Sequence, residues 1–163
     1  MKKRATKAVV LVAILIGAAL TWTLFAQARG ESEQAVSGGG TSIVSGGTGK
    51  PSFTPILTKF GFHFEGGTGR FECLALAPSA PAGSPGSGNF DTNIMYVTGQ
   101  ITSVQIHDRV AVARGTADVT GAGAGADRPF TFTVTRGGPG ATLVLVISGL
   151  TFNEIVLEGQ ITF

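Results

Sequence analysis

Few residues in this chain are of a type and spacing that could do chemistry. His63 and Glu65 come closest. They stand two apart in a stretch that alternates polar and apolar residues, so they share one face. There they could act as two ligands to a metal or as an acid and its base. Alternation with Phe60, Phe62 and Phe64 also places them on a solvated face, and that reading carries more weight. His107 is the only other histidine, and nothing in the sequence brings it near. His107 and Asp108 are adjacent, so in a strand they point to opposite faces. They read as a polar turn rather than a dyad. The binding candidates are therefore His63 and Glu65 alone, and both are weak.

Other motifs fail on their own chemistry. Ser45-Gly-Gly-Thr-Gly-Lys50-Pro51-Ser imitates a phosphate loop, but Val44 stands where the first glycine belongs. Pro51 replaces the hydroxyl residue that would hold magnesium. Gly83-Ser84-Pro85-Gly86-Ser87 has the wrong register for a nucleophile elbow. The run 121–127 (GAGAGAD) lacks the repeat that calcium-binding nonapeptides need, and no acids fall at calcium-loop spacing. Cys73 is the only cysteine, which excludes a disulfide framework and any multi-cysteine metal site. With Phe71 and Ala75 on its own face it reads as a small buried hydrophobe; the alternatives are an intermolecular disulfide or a reactive thiol. The expectation is of no catalytic residue, no metal, no cofactor and no enzyme.

The elements that would position these residues are strands. Segments 58–65, 71–77, 93–106, 109–119, 129–136, 141–148 and 154–163 alternate with period two and are rich in Phe and β-branched residues. No helical periodicity follows residue 28. Seven to nine short strands with Gly-rich turns predict an all-β domain, an antiparallel β-sandwich or a small β-barrel. One hairpin is readable in detail. Its turn is placed at His107-Asp108, though that pair is a poor two-residue turn and the loop could be longer. Gly99 and Gly115 then come nearly opposite, where the apolar phase slips on both sides, which predicts a bend or bulge. In the last segment Ile155, Leu157, Gly159, Ile161 and Phe163 share one face. An alternating strand that stops on Phe163 also suits the closing strand of an outer-membrane barrel, with its apolar rows toward lipid and its Thr rows toward a lumen.

Residues 1–28 read as a signal peptide. Lys2, Lys3, Arg4 and Lys7 form a basic start, Ala8 to Phe25 an apolar run, and Ala26-Gln27-Ala28 a cleavage site. The run is long enough to leave an uncleaved anchor as an alternative. The expected location is secreted, periplasmic or cell-surface. Setting the four leader bases aside leaves 8 of the chain's 12 basic residues against 10 acids, so the charge gives no case for nucleic acid. Residues 29–52 are Gly/Ser-rich and read as a flexible arm, residues 78–88 as a loop, and 53–163 as the β domain.

From Phe60 onward the order FGFHFEGGTGRFEC, VTGQITSV, RVAVARGTADV, RPFTFTVTR and LEGQITF resembles a Gly-rich, all-β domain family found in exported bacterial proteins. The resemblance covers about 100 residues and rests on glycine and alternation. It implies a secreted single-domain β fold with no established activity, and it carries over no catalytic residue. The leading expectation is a non-catalytic binding or structural envelope module acting on an extracytoplasmic ligand or protein partner. The alternatives are a carrier of small apolar ligands in a β-barrel, an outer-membrane β-barrel, or an enzyme.

Overall fold

The computed structural model describes residues 35–49 and 54–163. The expected signal peptide, residues 1–28, and its expected cleavage site lie outside the described residues. Eight strands follow one another along the chain: β1 (Val36–Gly46), β2 (Leu57–Glu65), β3 (Thr68–Pro78), β4 (Phe90–His107), β5 (Val110–Gly121), β6 (Gly125–Thr135), β7 (Thr142–Ile147) and β8 (Leu150–Thr162). Each pairs antiparallel with the next, and β8 returns to β1, so the sheet closes on itself. Of the two expected architectures, this is the barrel and not the sandwich. Closure leaves no free sheet edge among these strands.

All seven segments expected to be strands are strands. The eighth, β1, corrects the reading of residues 29–52 as a flexible arm over Val36–Gly46. Its composition has a packing reason. A Cβ placed on Gly38 would lie 2.7 Å from the Phe62 ring, so the bare backbone of β1 makes room for aromatic side chains of β2. Hydrogen bonds to neighbours on both sides hold the glycines extended.

The apolar rows point inward. Phe60, Phe62 and Phe64 of β2, Phe71 of β3 and Phe130 and Phe132 of β6 are buried. Phe62 and Phe132 meet edge to face at 5.1 Å, and Phe71 lies 4.6 Å from Phe132 and 5.3 Å from Phe130. β2 and β6 are four strands apart in a ring of eight, so the Phe62–Phe132 contact spans the lumen. Lys59, His63, Arg70, Glu72 and the β6 threonines Thr131, Thr133 and Thr135 point outward. This orientation reverses the outer-membrane arrangement, which needed apolar rows toward lipid and threonines toward a lumen.

The expected glycine-marked slip is present on β4 and absent from β5. On β4 a true bulge at Thr102 separates the pairs Ile101↔Gly115 and Ser103↔Arg114. On β5 the phase never changes. Ala111, Ala113, Ala117 and Val119 all face the lumen, and Val110 and Val112 lie on the other side. Gly99 and Gly115 are bare because a Cβ on either would press on the Phe130 ring. The turn is a tight one at Asp108-Arg109, with His107 paired to Val110, one residue later than expected. Asp108 takes φ 53°, a left-handed conformation that aspartate tolerates better than most residues.

The last strand needs the largest correction. Ile155 and Leu157 are 39% and 48% exposed, whereas Phe152, Glu154 and Val156 face inward. Leu157 has no partner on β1: Thr41 pairs with Glu158 and Ser42 with Val156. This bulge reverses the phase, so that Ile161 is again buried.

Candidate functional site

The two residues singled out by spacing do meet. His63 Nε2 lies 3.3 Å from Glu65 Oε2 on the outer face of β2, with the side chains 60% and 58% exposed. β2 alternates, so one strand face carries both and the other carries the Phe row. An ion pair this exposed contributes between nothing and about 1 kcal/mol. The surface beside it is a shallow depression shared with Thr68, Arg70 and Gln100. Among the described residues no three His, Cys, Asp or Glu side chains gather closely enough to hold a metal ion. His107 ends β4 and Asp108 lies in the turn, so the two form no dyad.

A different group of polar residues lies inside the barrel. Glu154 of β8, Ser42 of β1, Thr58 of β2 and Cys73 of β3 are all buried and lumen-facing. β8, β1, β2 and β3 are consecutive around the ring, so the four occupy one continuous stretch of inner wall. Register sets their neighbours: Ser42 is opposite Thr58, Cys73 is opposite Phe60, and Glu154 is opposite Val44. The bulge at Leu157 positions the acid, because without it the phase that buries Ile161 would turn Glu154 outward.

Ser42 Oγ donates to Glu154 Oε2 and also lies 3.4 Å from the Thr58 carbonyl oxygen. One hydroxyl proton cannot serve both acceptors fully. A protonated Glu154 removes the conflict, since its own O–H donates to Ser42 Oγ and frees the serine proton for the carbonyl. Burial pushes the Glu154 carboxyl above its ordinary value of 4.5, and the Ser42 and Thr58 hydroxyls pull it back in part. Thr58 Oγ1 is near enough to have that influence, yet it is buried and meets no partner at hydrogen-bonding geometry. The Cys73 thiol is pushed well above 9.0, first by burial and then by the Glu154 charge. A thiol so held stays protonated and is a poor nucleophile.

The wall thus offers a carboxyl that can donate or accept, a hydroxyl already engaged and a second hydroxyl with no partner. That is equipment for holding one polar group in an apolar surrounding. Sequence reading missed it for two reasons. Ser42 falls in a segment that reads as an arm, and unbroken alternation through Ile155, Leu157 and Ile161 gives no sign that Glu154 belongs to the buried face. The available signal was Phe152-x-Glu154-x-Val156, an apolar pair bracketing an acid, followed by Gly159. Comparison of the chain with family models, with curated proteins and with solved structures finds no match.

Proposed function

We propose that this is an exported, non-catalytic binding barrel whose ligand is a small, mainly apolar molecule bearing one hydroxyl, carbonyl or carboxyl group. The observation that carries this reading is the buried, lumen-facing Glu154–Ser42–Thr58 group with its unpartnered Thr58 hydroxyl. Burying a polar atom without a partner costs about 1–3 kcal/mol, and burying a carboxyl costs more. An apolar wall would be the more stable choice, and a bound polar group gives these atoms a purpose. An eight-stranded barrel has an interior just wide enough for side chains or for one small ligand. The phenylalanines of β2, β3 and β6 fill part of that interior, and the buried side chains of Ser42, Thr58, Cys73 and Ala75 on β1 to β3 are smaller.

The test is thermal melting of the exported protein, followed by circular dichroism, with medium-chain alcohols, fatty acids and alkanes of matched length. An alcohol or acid at one hundred times its dissociation constant should stabilise by about 2.7 kcal/mol. The matching alkane should do less, and Thr58→Val should abolish the difference. Equal shifts with alkane and alcohol would remove the polar wall from the account.

A second reading rests on the Phe62–Phe132 contact across the lumen. A barrel plugged by its own side chains would act through its outer surface, as a structural or partner-binding module of the envelope. Melting that none of these ligands shifts would favour it.

A further inference from the structure

The outer face of β1 carries a patch whose two sides, on β2 and β8, match each other row by row. The Thr41 row has Lys59 on one side and Glu158 on the other. In the Ile43 row the flanking residues are Leu57 and Ile155, and in the Gly39 row they are Gly61 and Gln160. Their chain neighbours Ser42, Thr58, Phe60, Val156 and Ile161 are buried in the lumen, so the rows themselves face outward. Ile155 is exposed, as is Leu157 in the bulge beside it, and Ile43 and Leu57 are half-buried. Nothing lies within 4 Å of the position a Cβ would take on Gly61, which leaves a bare spot in the surface. Lys59 and Glu158 are two strand spacings apart, about 10 Å. Among the described residues the one ion pair is His63–Glu65, so these two charges do not meet within the chain.

We propose that this face pairs with the same face of a second copy, about a two-fold axis that lies between the two barrels and runs along β1. Such an axis sets β2 of each copy over β8 of the other at the same height. Lys59 then meets the partner's Glu158, and Glu158 meets the partner's Lys59. Leu57 covers the partner's Ile155, Ile43 meets its own copy, and the partner's Gln160 fills the bare spot at Gly61. Charge, apolar contact and shape thus agree in three successive rows under one operation. An axis across the strands through the Thr41 row would set Lys59 on Lys59 and Glu158 on Glu158 instead. Sheets pack face to face about 10 Å apart, a separation that opposed side chains of this length span together. Because barrel walls curve away from each other, contact is confined to β1 and its two neighbours, roughly 15 Å by 20 Å. That is well under the roughly 800 Å² per partner of a standard stable interface, so the dimer is a weak one. It uses only the outside of the barrel and does not depend on the lumen reading.

Sedimentation equilibrium of the exported protein from about 10 µM to about 1 mM tests it. The expected result is a monomer–dimer equilibrium that stops at two copies, because an isologous contact closes on itself. Lys59→Glu sets acid against acid at both ends of the interface, and Glu158→Lys sets base against base. Each should weaken dimerisation at least about tenfold. The double variant Lys59→Glu/Glu158→Lys restores opposite pairs with the signs exchanged and should return to within about threefold of the original affinity. Melting curves of the dilute variants should coincide with that of the original protein, since both side chains are on the surface, which separates lost association from lost folding. A protein that stays monomeric throughout would overturn the proposal, as would association that continues past two copies. Single variants that dimerise as before, or a double variant as weak as the singles, would refute it equally.

Discussion

Glu154→Gln isolates the titration of the lumen. The carboxyl is buried, and burial raises its pKa in the folded barrel above the 4.5 of an exposed glutamate. The folded state therefore keeps a proton that the unfolded chain has already released. A raised value gives stability that is complete below the unfolded pKa. It is lost as pH rises from 4.5 through the folded pKa, and above that both states are ionised and the loss stops. One proton sets the steepest possible slope at about 1.4 kcal/mol per pH unit. Glutamine has the shape of the protonated acid and still reaches Ser42, but it cannot ionise. Below pH 4.5 the two proteins should agree within about 1 kcal/mol. Above it Glu154→Gln should become progressively the more stable, at no more than one proton's slope, up to a plateau. Urea unfolding of both proteins at half-unit steps from pH 4 to pH 8 measures the difference curve, in which every other carboxylate cancels. Cys73, also raised by burial, titrates above 9.0 and stays outside that window. Parallel profiles across the whole range would refute the reasoning, since they would mean that Glu154 ionises in the barrel as readily as in the unfolded chain.

The same geometry orders other substitutions. Phe132→Ala, which removes a ring touching Phe62 and Phe71 at the centre of the lumen, should cost about 3–5 kcal/mol by urea unfolding. Gly115→Ala places a Cβ against the Gln100 carbonyl oxygen and the Phe130 ring and should lower the melting temperature sharply. Gly61→Ala, with nothing within 4 Å of the added carbon, should change stability by less than about 1 kcal/mol. His63→Ala should leave both stability and alcohol binding nearly unchanged, within about 0.5 kcal/mol, because its pairing with Glu65 is on the solvated face. Cys73 should resist an aromatic disulfide reagent at pH 8 in the folded protein and react at once in urea, so the rate of thiol release reports opening of the barrel.

Seven of the strands were legible because each carries its own alternation of Phe or β-branched residues with polar ones. β1 was not, because the side chains that fill the lumen beneath it belong to β2: Gly38 is empty where Phe62 is large. A strand whose neighbours supply its packing has no pattern of its own to read. The polar wall is hidden in the sequence by the same kind of non-local cause. Alternation predicts facing only until a bulge, and the one at Leu157 puts Glu154 inside while leaving Ile155 and Leu157 in water. On β5 the opposite error arose. Val110 and Val112 look more buried than Ala111 and Ala113, yet the alanines face the lumen, where Phe132 and Val134 of β6 take up the space. His63 and Glu65 share the solvated face of β2, as alternation predicts, because that inference needs only two residues of one unbroken strand.

The interior is built by two different rules. Around Phe62, Phe71, Phe130 and Phe132 the barrel removes side chains to seat aromatic rings, with Gly38, Gly99 and Gly115 as the vacated positions. Glycine in a strand sacrifices about 0.5–1 kcal/mol of backbone entropy, and here tight ring packing returns more than that. Along β8, β1, β2 and β3 the choice runs the other way. Ser42, Thr58 and Glu154 occupy positions where alanine, valine and leucine would bury as well and leave no unmet polar atom. Stability accounts for the first rule and argues against the second. A wall that lowers stability in a barrel otherwise tuned for packing is what supports the proposed binding of a polar group there, since such a group would provide the compensating interaction that the Thr58 hydroxyl lacks.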